Sequence, residues 1–367
     1  MKNNINLFKI AVLSILAFVT FSCNYKNDEP LVPANNNLVG IIERNADLSL
    51  FNEAITIAGL KNVPTVAPAV TVPPTEPIYL SNGTVTYTVF APNNNAMTMF
   101  LSANGFANLA AVPVATLRQY LLNHITAGQT ITSSSSGYTK YVKTFAFGPM
   151  SSGYNKLSLY IDNKVYTALN ATPVAGEFVK LNGVSTITTP DIAATNGTLH
   201  IIDKVIPLPT VVDHALANKN LTSLVTALTS PGQPAFTTIL AGTGPFTVFA
   251  PVNTAFTSFA TEITPFNPTG TGTISTANLT KVLNYHVANG NLLRTALTNN
   301  LVINTLQTPP QQNVTVQVTT AGTPPVSTYR LKDQSITLPL RVSTITTLDV
   351  QCTNGVVHLI DKVLLPN

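Results

Sequence analysis

Apolar residues along this chain recur at helical and at strand spacing. Leu117, Tyr120, Leu121 and His124 stand at i, i+3, i+4 and i+7, and so do Leu279, Val282, Leu283 and His286. Each set forms the apolar stripe of an amphipathic helix. Further helical stretches cover 38–60, closed by Ala58-Gly59, and 211–228; a glycine at such a place can end a helix. Two apolar runs, 199–206 and 357–364, read as strands, each entered from an Asn-Gly turn at 196–197 and 354–355. Strands that end at Pro92 and Pro251 are followed by Asn94 and Asn253, placed to cap short helices starting at Ala96 and Ala255. The prolines of 63–77 block ladder pairing and mark an exposed loop.

These elements occur twice. The segment 184–205 matches 342–363 at an offset of 158, 88–96 matches 247–255 at 159, and 117–124 matches 279–286 at 162. Three blocks in one order at nearly one offset mean a duplicated domain, with loop insertions accounting for the drift. The repeat is far too long for a solenoid unit.

The blocks resemble the fasciclin-like (FAS1) domain. Its Thr-Val-Phe-Ala-Pro-x-Asn-x-Ala-Phe signature stands at 247–256 and, with Met97 for the final Phe, at 88–97. Its terminal Asn-Gly-x-x-His-x-Ile-Asp-x-Val block stands at 196–205 and, with Leu359 at the x before Ile360, at 354–363. Its central Tyr-His pair is Tyr285-His286 in the second copy, whereas the first copy has Asn123-His124. The resemblance spans about residues 38 to 367 and implies an α+β fold: two tandem FAS1-like domains, 38–209 and 210–367, each a β-sandwich-like wedge with packed helices.

Residues 1–22 read as an export signal. Lys2 and Lys9 precede an apolar or small-residue stretch from Ile10 to Ser22, too short for a spanning helix of about 20 residues and suited to a signal h-region. Thr20-Phe21-Ser22-Cys23 resembles the lipobox of bacterial lipoproteins, although that pattern prefers Leu at the place of Thr20. The resemblance implies acylation of Cys23, with more than one chain giving a stable anchor; the other reading is an ordinary cleaved signal with an incidental cysteine. The cluster Lys26, Asp28, Glu29 resembles a surface-export signal of some Gram-negative lipoproteins, and 23–37 as a whole serves as lipidated residue and flexible tether. The expected location is the outer membrane, at the cell surface or on its periplasmic face.

Composition narrows the function. Charged residues are only 9% of the chain, against about 25% in a typical soluble domain, and Thr, Ser and Asn fill the gap. Removal of the leader leaves 17 Lys plus Arg against 15 Asp plus Glu. The arginines Arg44, Arg118, Arg294, Arg330 and Arg341 are scattered, so no basic run tracks a phosphate backbone and nucleic acid is not a partner. With Cys23 acylated, Cys352 has no disulfide partner within the chain, and Ala194 stands at its place in the first copy. There is no Gly-x-Ser-x-Gly, Gly-x-x-x-x-Gly-Lys, His-Glu-x-x-His or Cys-x-x-Cys. Gly270-Thr-Gly272 is loop material. No enzyme, cofactor or metal is expected.

Four of the five histidines match between copies: His124 with His286, and His200 with His358. The first pair lies on apolar helix stripes, where a buried ring bonded to a main-chain group is the simplest role. Asp203 and Asp361 follow the second pair by three residues, on the opposite strand face. The candidate partner-binding residues are Asp191-Ile192 and Asp349-Val350, just before the Asn-Gly turns, together with the Tyr285-His286 pair. The resemblance carries over the position: in animal members an Asp followed by an aliphatic residue there is implicated in integrin binding. The alternative is that each Asp orders its own turn.

The reading is therefore a non-enzymatic adhesion or matrix-binding protein of the cell envelope, with tandem FAS1-like modules on a lipid anchor and an extracellular protein or polysaccharide as partner. The alternative is a glycan-binding accessory lipoprotein of a polysaccharide-uptake system, for which Tyr138, Tyr141 and Tyr154, read as lying in a polar loop, would supply stacking rings.

Overall fold

Each copy builds one mixed sheet with helices on it. The structure, a computed structural model, describes residues 36–62, 78–128, 130–132, 139–148, 155–162, 179–262, 274–308, 310–335 and 341–367. The leader, Cys23, the 24–35 part of the tether, the Pro-rich loop 63–77, Tyr138, Tyr154 and Gly270–Gly272 lie outside them.

In the first copy the order is α1 (Leu38–Arg44), α2 (Ser49–Ile57), β1 (Tyr87–Pro92), α3 (Asn94–Ala103), α4 (Val114–Leu122), β2 (Ile125–Ala127), β3 (Lys140–Phe147), β4 (Lys156–Asp162), β5 (Lys180–Leu181), β6 (Ser185–Ala194) and β7 (Gly197–Ile202). The second has α5 (Val211–Ala217), α6 (Thr222–Leu228), α7 (Phe236–Leu240), β8 (Phe246–Pro251), α8 (Asn253–Glu262), α9 (Thr276–Tyr285), β9 (Val287–Asn289), β10 (Val302–Asn304), β11 (Asn313–Ala321), β12 (Val326–Lys332), β13 (Val342–Cys352) and β14 (Gly355–Ile360).

The sheets run β2-β1-β7-β6-β5-β4-β3 and β9-β8-β14-β13-β12-β11-β10, the same plan twice. The long strands β6 and β13 each carry two register shifts, at Ile187/Thr189/Ile192 and at Ile345/Thr347/Val350. Such bulges bend a strand, and here they let one half of the sheet fold toward the other. A core of Phe90, Leu159, Ile161, Leu181 and Ile202 fills the wedge in domain one, and Phe249, Val314, Val316, Leu331 and Ile360 fill it in domain two. On the outer side, α1, α2, α3 and α4 pack Ile42, Phe51, Met97 and Leu121 against Val89 and Leu199. The expected α+β wedge with packed helices is the fold observed.

Three local expectations change. The helix expected over 38–60 is two helices, because Asn45 leaves helical geometry and its side chain accepts the Asp47 N–H, starting a new turn; Asn218 does the same for Asn220 in the second copy. Asn94 does not cap its own helix, since Asn93 does, accepting the Ala96 N–H at 2.8 Å. Asn94 instead accepts the Leu50 N–H at 3.0 Å and donates to the Ala46 carbonyl at 2.9 Å, satisfying the first turn of α2 from outside. Asn253 repeats this with the Ser223 N–H and the Lys219 carbonyl. The third concerns the Asn-Gly turns, which also act as latches. Asn196 accepts from the Leu38 N–H and donates to the Leu80 and Asn82 carbonyls, and Asn354 accepts from the Val211 N–H and donates to Leu240 and Gly242.

Candidate functional site

The four matched histidines hold the scaffold, and they do so in two opposite tautomers. His124 Nδ1–H donates to the Tyr120 carbonyl at 2.7 Å, and its Nε2 accepts the Ile206 N–H at 2.8 Å. His286 does the same with Val282 and Leu364. In His200 and His358 the proton sits on the other nitrogen. Nε2–H donates to the Ile131 or Leu292 carbonyl at 2.8 Å, and Nδ1 accepts the main-chain N–H of Asp191 or Asp349 at 3.2 Å. A neutral imidazole offers one donor and one acceptor, so every ring is fully used as neutral. Burial accordingly lowers all four pKa values, with His124 and His286 near 4. Among the described residues no cluster of three or more His, Cys, Asp or Glu stands ready for a metal ion.

The contacts of His200 and His358 position the Asp-aliphatic tips. Asp191 and Asp349 adopt φ of 59° and 60° inside the bulges of β6 and β13. An L-residue other than Gly, Asn or Asp is costly in this region, and the N–H turned inward by it is the one the histidine accepts. Each Asp thus meets the histidine nine residues later across the β6–β7 or β13–β14 pair, not the Asp that follows that histidine. Asp203 and Asp361 serve elsewhere, accepting the N–H groups of Thr186 and Thr344 at 2.6 Å.

The two tips are unequal. The Asp191 side chain is 34% exposed, Ile192 is half-buried against the core, and Thr188, Thr189, Pro190 and Ala193 beside them are exposed. The Asp349 side chain is 19% exposed and bound: Oδ1 accepts the Arg294 N–H at 2.7 Å and Oδ2 lies 3.4 Å from Arg294 Nε. Domain one covers the rest of that edge. Lys143 Nζ donates to the Asp349 carbonyl at 2.5 Å and to Ser158 Oγ at 3.0 Å, and Ser158 Oγ also accepts the Gln351 N–H at 3.0 Å.

Three expected contact residues are withdrawn from the surface by this geometry. Val350 is 1% exposed, Tyr285 0% and His286 3%. Tyr285 spends its hydroxyl inside, donating to the Asn313 carbonyl at 2.6 Å and accepting the Gln334 N–H at 3.1 Å. Tyr141 is not in a loop: it lies in β3, packed on Tyr160 and against His214. Cys352 is fully buried, where burial drives its thiol pKa up, as befits a small core residue.

Sequence reasoning missed Lys143, Ser158, Arg294 and His214. A lysine bonded to a serine is a pairing that can activate a nucleophile. Here Ser158 is 1% exposed and its oxygen accepts from both Lys143 and Gln351, so it is tied into the domain contact. An apolar cavity of about 30 Å³ lies in domain two, where Ala215 and Leu224 stand at the places of Ile42 and Phe51. It has room for little more than a water molecule. Among the described residues no helix is long and apolar enough to cross a membrane.

A duplicated seven-stranded sheet, latched by Asn-Gly pairs and buried histidines, defines a class of tandem module. The Fasciclin domain model matches residues 76–209 and 219–366, and the chain belongs to that family. The uncharacterized protein sll1735 of Synechocystis is 27% identical over 161 residues, 43% of this chain and 98% of its own length. Protein sll1483 of the same organism is 30% identical over 162 residues, 43% of this chain and 73% of its own. A fasciclin-like arabinogalactan protein of Arthroderma benhamiae is 29% identical over 194 residues, covering 51% of this chain and 38% of that one. The solved FAS1 domain pair of the insect cell adhesion molecule Fasciclin I is similar over 76% of this chain and 88% of that chain, at 19% identity and a TM-score of 0.45.

Proposed function

We propose that this chain is a non-enzymatic adhesion or matrix-binding protein of the cell envelope, whose contact surface is the Asp191-Ile192 bulge of domain one. The observation that carries this reading is the difference between the copies. The backbone device is the same in both, yet Thr189, Pro190 and Ala193 around the first carboxylate are exposed, whereas Thr347, Leu348 and Gln351 at the matched places are half-buried or buried. A carboxylate fixed beside an aliphatic side chain suits recognition of a protein partner, with the histidine behind it holding the backbone rigid. Because the second tip is engaged by Arg294 and Lys143, the two modules do not present two equal sites.

The test is binding of the 24–367 fragment to panels of immobilised matrix proteins and glycans. Asp191→Ala is expected to weaken capture by about tenfold, equivalent to about 1.4 kcal/mol, while Asp349→Ala leaves it unchanged. Equal binding by wild type and Asp191→Ala would remove the bulge as the contact. Tight, selective binding to one glycan would replace protein adhesion by polysaccharide capture.

The anchor is proposed to be an acylated Cys23 in the outer membrane, a reading that rests on the Thr-Phe-Ser-Cys pattern after the apolar leader. Cys23→Ala is expected to move the protein from the membrane fraction to the soluble fraction. A variant that still sediments with membranes would exclude lipid anchoring.

A further inference from the structure

The fifth histidine has no counterpart in the first copy. His214 lies on α5, where domain one has Ile41 on α1. Helix α5 is also where domain two receives domain one. Tyr141 of β3 sets its ring at 5.3 Å and nearly perpendicular to the His214 ring, and accepts a hydrogen bond from Asn218 Nδ2 at 3.1 Å. Asp162 of β4 pairs with Lys219 just beyond the helix. Lys143 and Ser158 complete the contact on β13. His214 is fully buried, and unlike the scaffold histidines neither of its ring nitrogens makes a well-formed hydrogen bond.

An imidazolium at this place would meet no free anion, and the main chain of Ser158 on β4, which favours it, is outweighed by burial and by the Lys143 charge. From β3 it faces the phenol of Tyr141 and the ammonium of Lys143, which repels it. From β4 come Tyr160 and Asp162, the latter committed to Lys219. From β13 come Cys352 and Asp349, whose carboxylate is held by Arg294. His358 on β14 has both nitrogens engaged. On α5 itself Asp213 accepts from the Thr210 N–H and hydroxyl. The helices α6 and α7 and the strand β8 bring no titratable side chain. A charged ring therefore escapes only if domain one lifts away and admits water.

We infer that the contact between the two domains is a proton-released clamp, with His214 as its sensor, which covers the Asp349–Thr353 edge of domain two near neutral pH and exposes it in acid. Opening would uncover the Asp349 carbonyl and the Gln351 N–H beside the second bulge, whose carboxylate stays with Arg294, and so would offer a further edge next to the kind of contact surface proposed above. That consequence rests on the proposed function; the opening itself does not. Burial first, and the Lys143 charge second, lower the His214 pKa to about 3 in the closed state, against 6.5 for an exposed histidine. The contribution of the neutral His214 to closure is thus fully present above pH 6.5 and is lost progressively as the pH falls below it. Between pH 7.5 and 5.0 the opening constant should rise about 30-fold.

Hydrogen exchange on the whole chain, without any ligand, tests this. After correction for chemical exchange rates, the Gln351 amide, whose N–H is accepted by Ser158 Oγ of domain one, should exchange about 30-fold faster at pH 5.0 than at pH 7.5, relative to the core strand β8. In His214→Ile, which restores the first copy's residue, the same amide should keep one protection level at both pH values. Should that variant fail to fold, the neutral His214→Gln carries the same expectation. Equal acceleration in wild type and variant would assign the effect to other groups and overturn the proposal, as would a wild-type contact whose protection is unchanged at pH 5.0. Failure of Asp191→Ala to weaken binding would leave these exchange rates untouched, so the two ideas fall separately.

Discussion

Gly355→Ala is expected to abolish the native state of domain two. Gly355 has φ of 151°, and a Cβ added there would sit 2.1 Å from the Phe246 carbonyl oxygen, 2.8 Å from its nitrogen and 2.9 Å from its carbonyl carbon. All three atoms are main chain, so no side-chain rotation relieves the overlap. The strand β14 would have to leave β8, its parallel partner from Gly355↔Phe246 to Ile360↔Pro251, and that pairing carries the middle of the sheet. A loss above about 4 kcal/mol is the expected size for such a backbone conflict, which is a large part of a domain's stability. Calorimetry should show the transition of domain two gone or far lower. Gly197→Ala should do the same to domain one, where the Cβ would lie 2.0 Å from the Tyr87 oxygen. Gly83→Ala, with nothing within 4 Å, should change little. If Gly355→Ala melts like wild type, the close approach is not a feature of the protein.

That glycine shows what the sequence could reveal and where it stopped. Asn-Gly before an apolar run is a local signal, and it located the turn into β14 correctly. The reason the glycine cannot change is a parallel strand more than a hundred residues away, and no local pattern reports that. Asn94 and Asn253 tell the same story. Their position after a strand suggests a cap, but the helix they cap is one packed alongside, chosen by tertiary structure. The histidine stripes were legible because helical periodicity is local and the duplication served as a control. The inequality of Asp191 and Asp349 was not, because it comes from Arg294, 55 residues away in the chain, and from Lys143 and Ser158 of the other domain. One clue was present: His214 is the histidine without a partner in the repeat, and a position where two copies of a module differ is where their surroundings differ.

Acid should unfold both domains steeply, with His124 and His286 as the main cause. Each is fully buried and neutral, with the helix carbonyl at one nitrogen and a strand-end N–H at the other. Protonation puts a hydrogen on Nε2, against the N–H of Ile206 or Leu364, and a charge into an apolar core. Desolvation holds both pKa values near 4 in the folded protein, opposed by the bonds to Tyr120 and Val282, whereas the unfolded chain returns to about 6.5. The unfolded state therefore binds more protons between these values. Stability is intact above pH 6.5, falls as the pH drops toward 4, and the loss levels off below that. At pH 4.5 each histidine should cost its domain about 2.5 kcal/mol relative to pH 7.5. Urea unfolding at the two pH values measures it, and the replacement to compare is His286→Gln. That variant gives up part of the stability at pH 7.5, because an amide cannot reach both main-chain partners as the ring does, and domain two should then lose about 2.5 kcal/mol less on acidification than it does in wild type. Addition of a chelator should change neither curve, since the two nitrogens of each ring are taken by main-chain groups. A chelator that reproduced the loss would mean that a metal ion, not the Leu364 N–H, is what His286 holds.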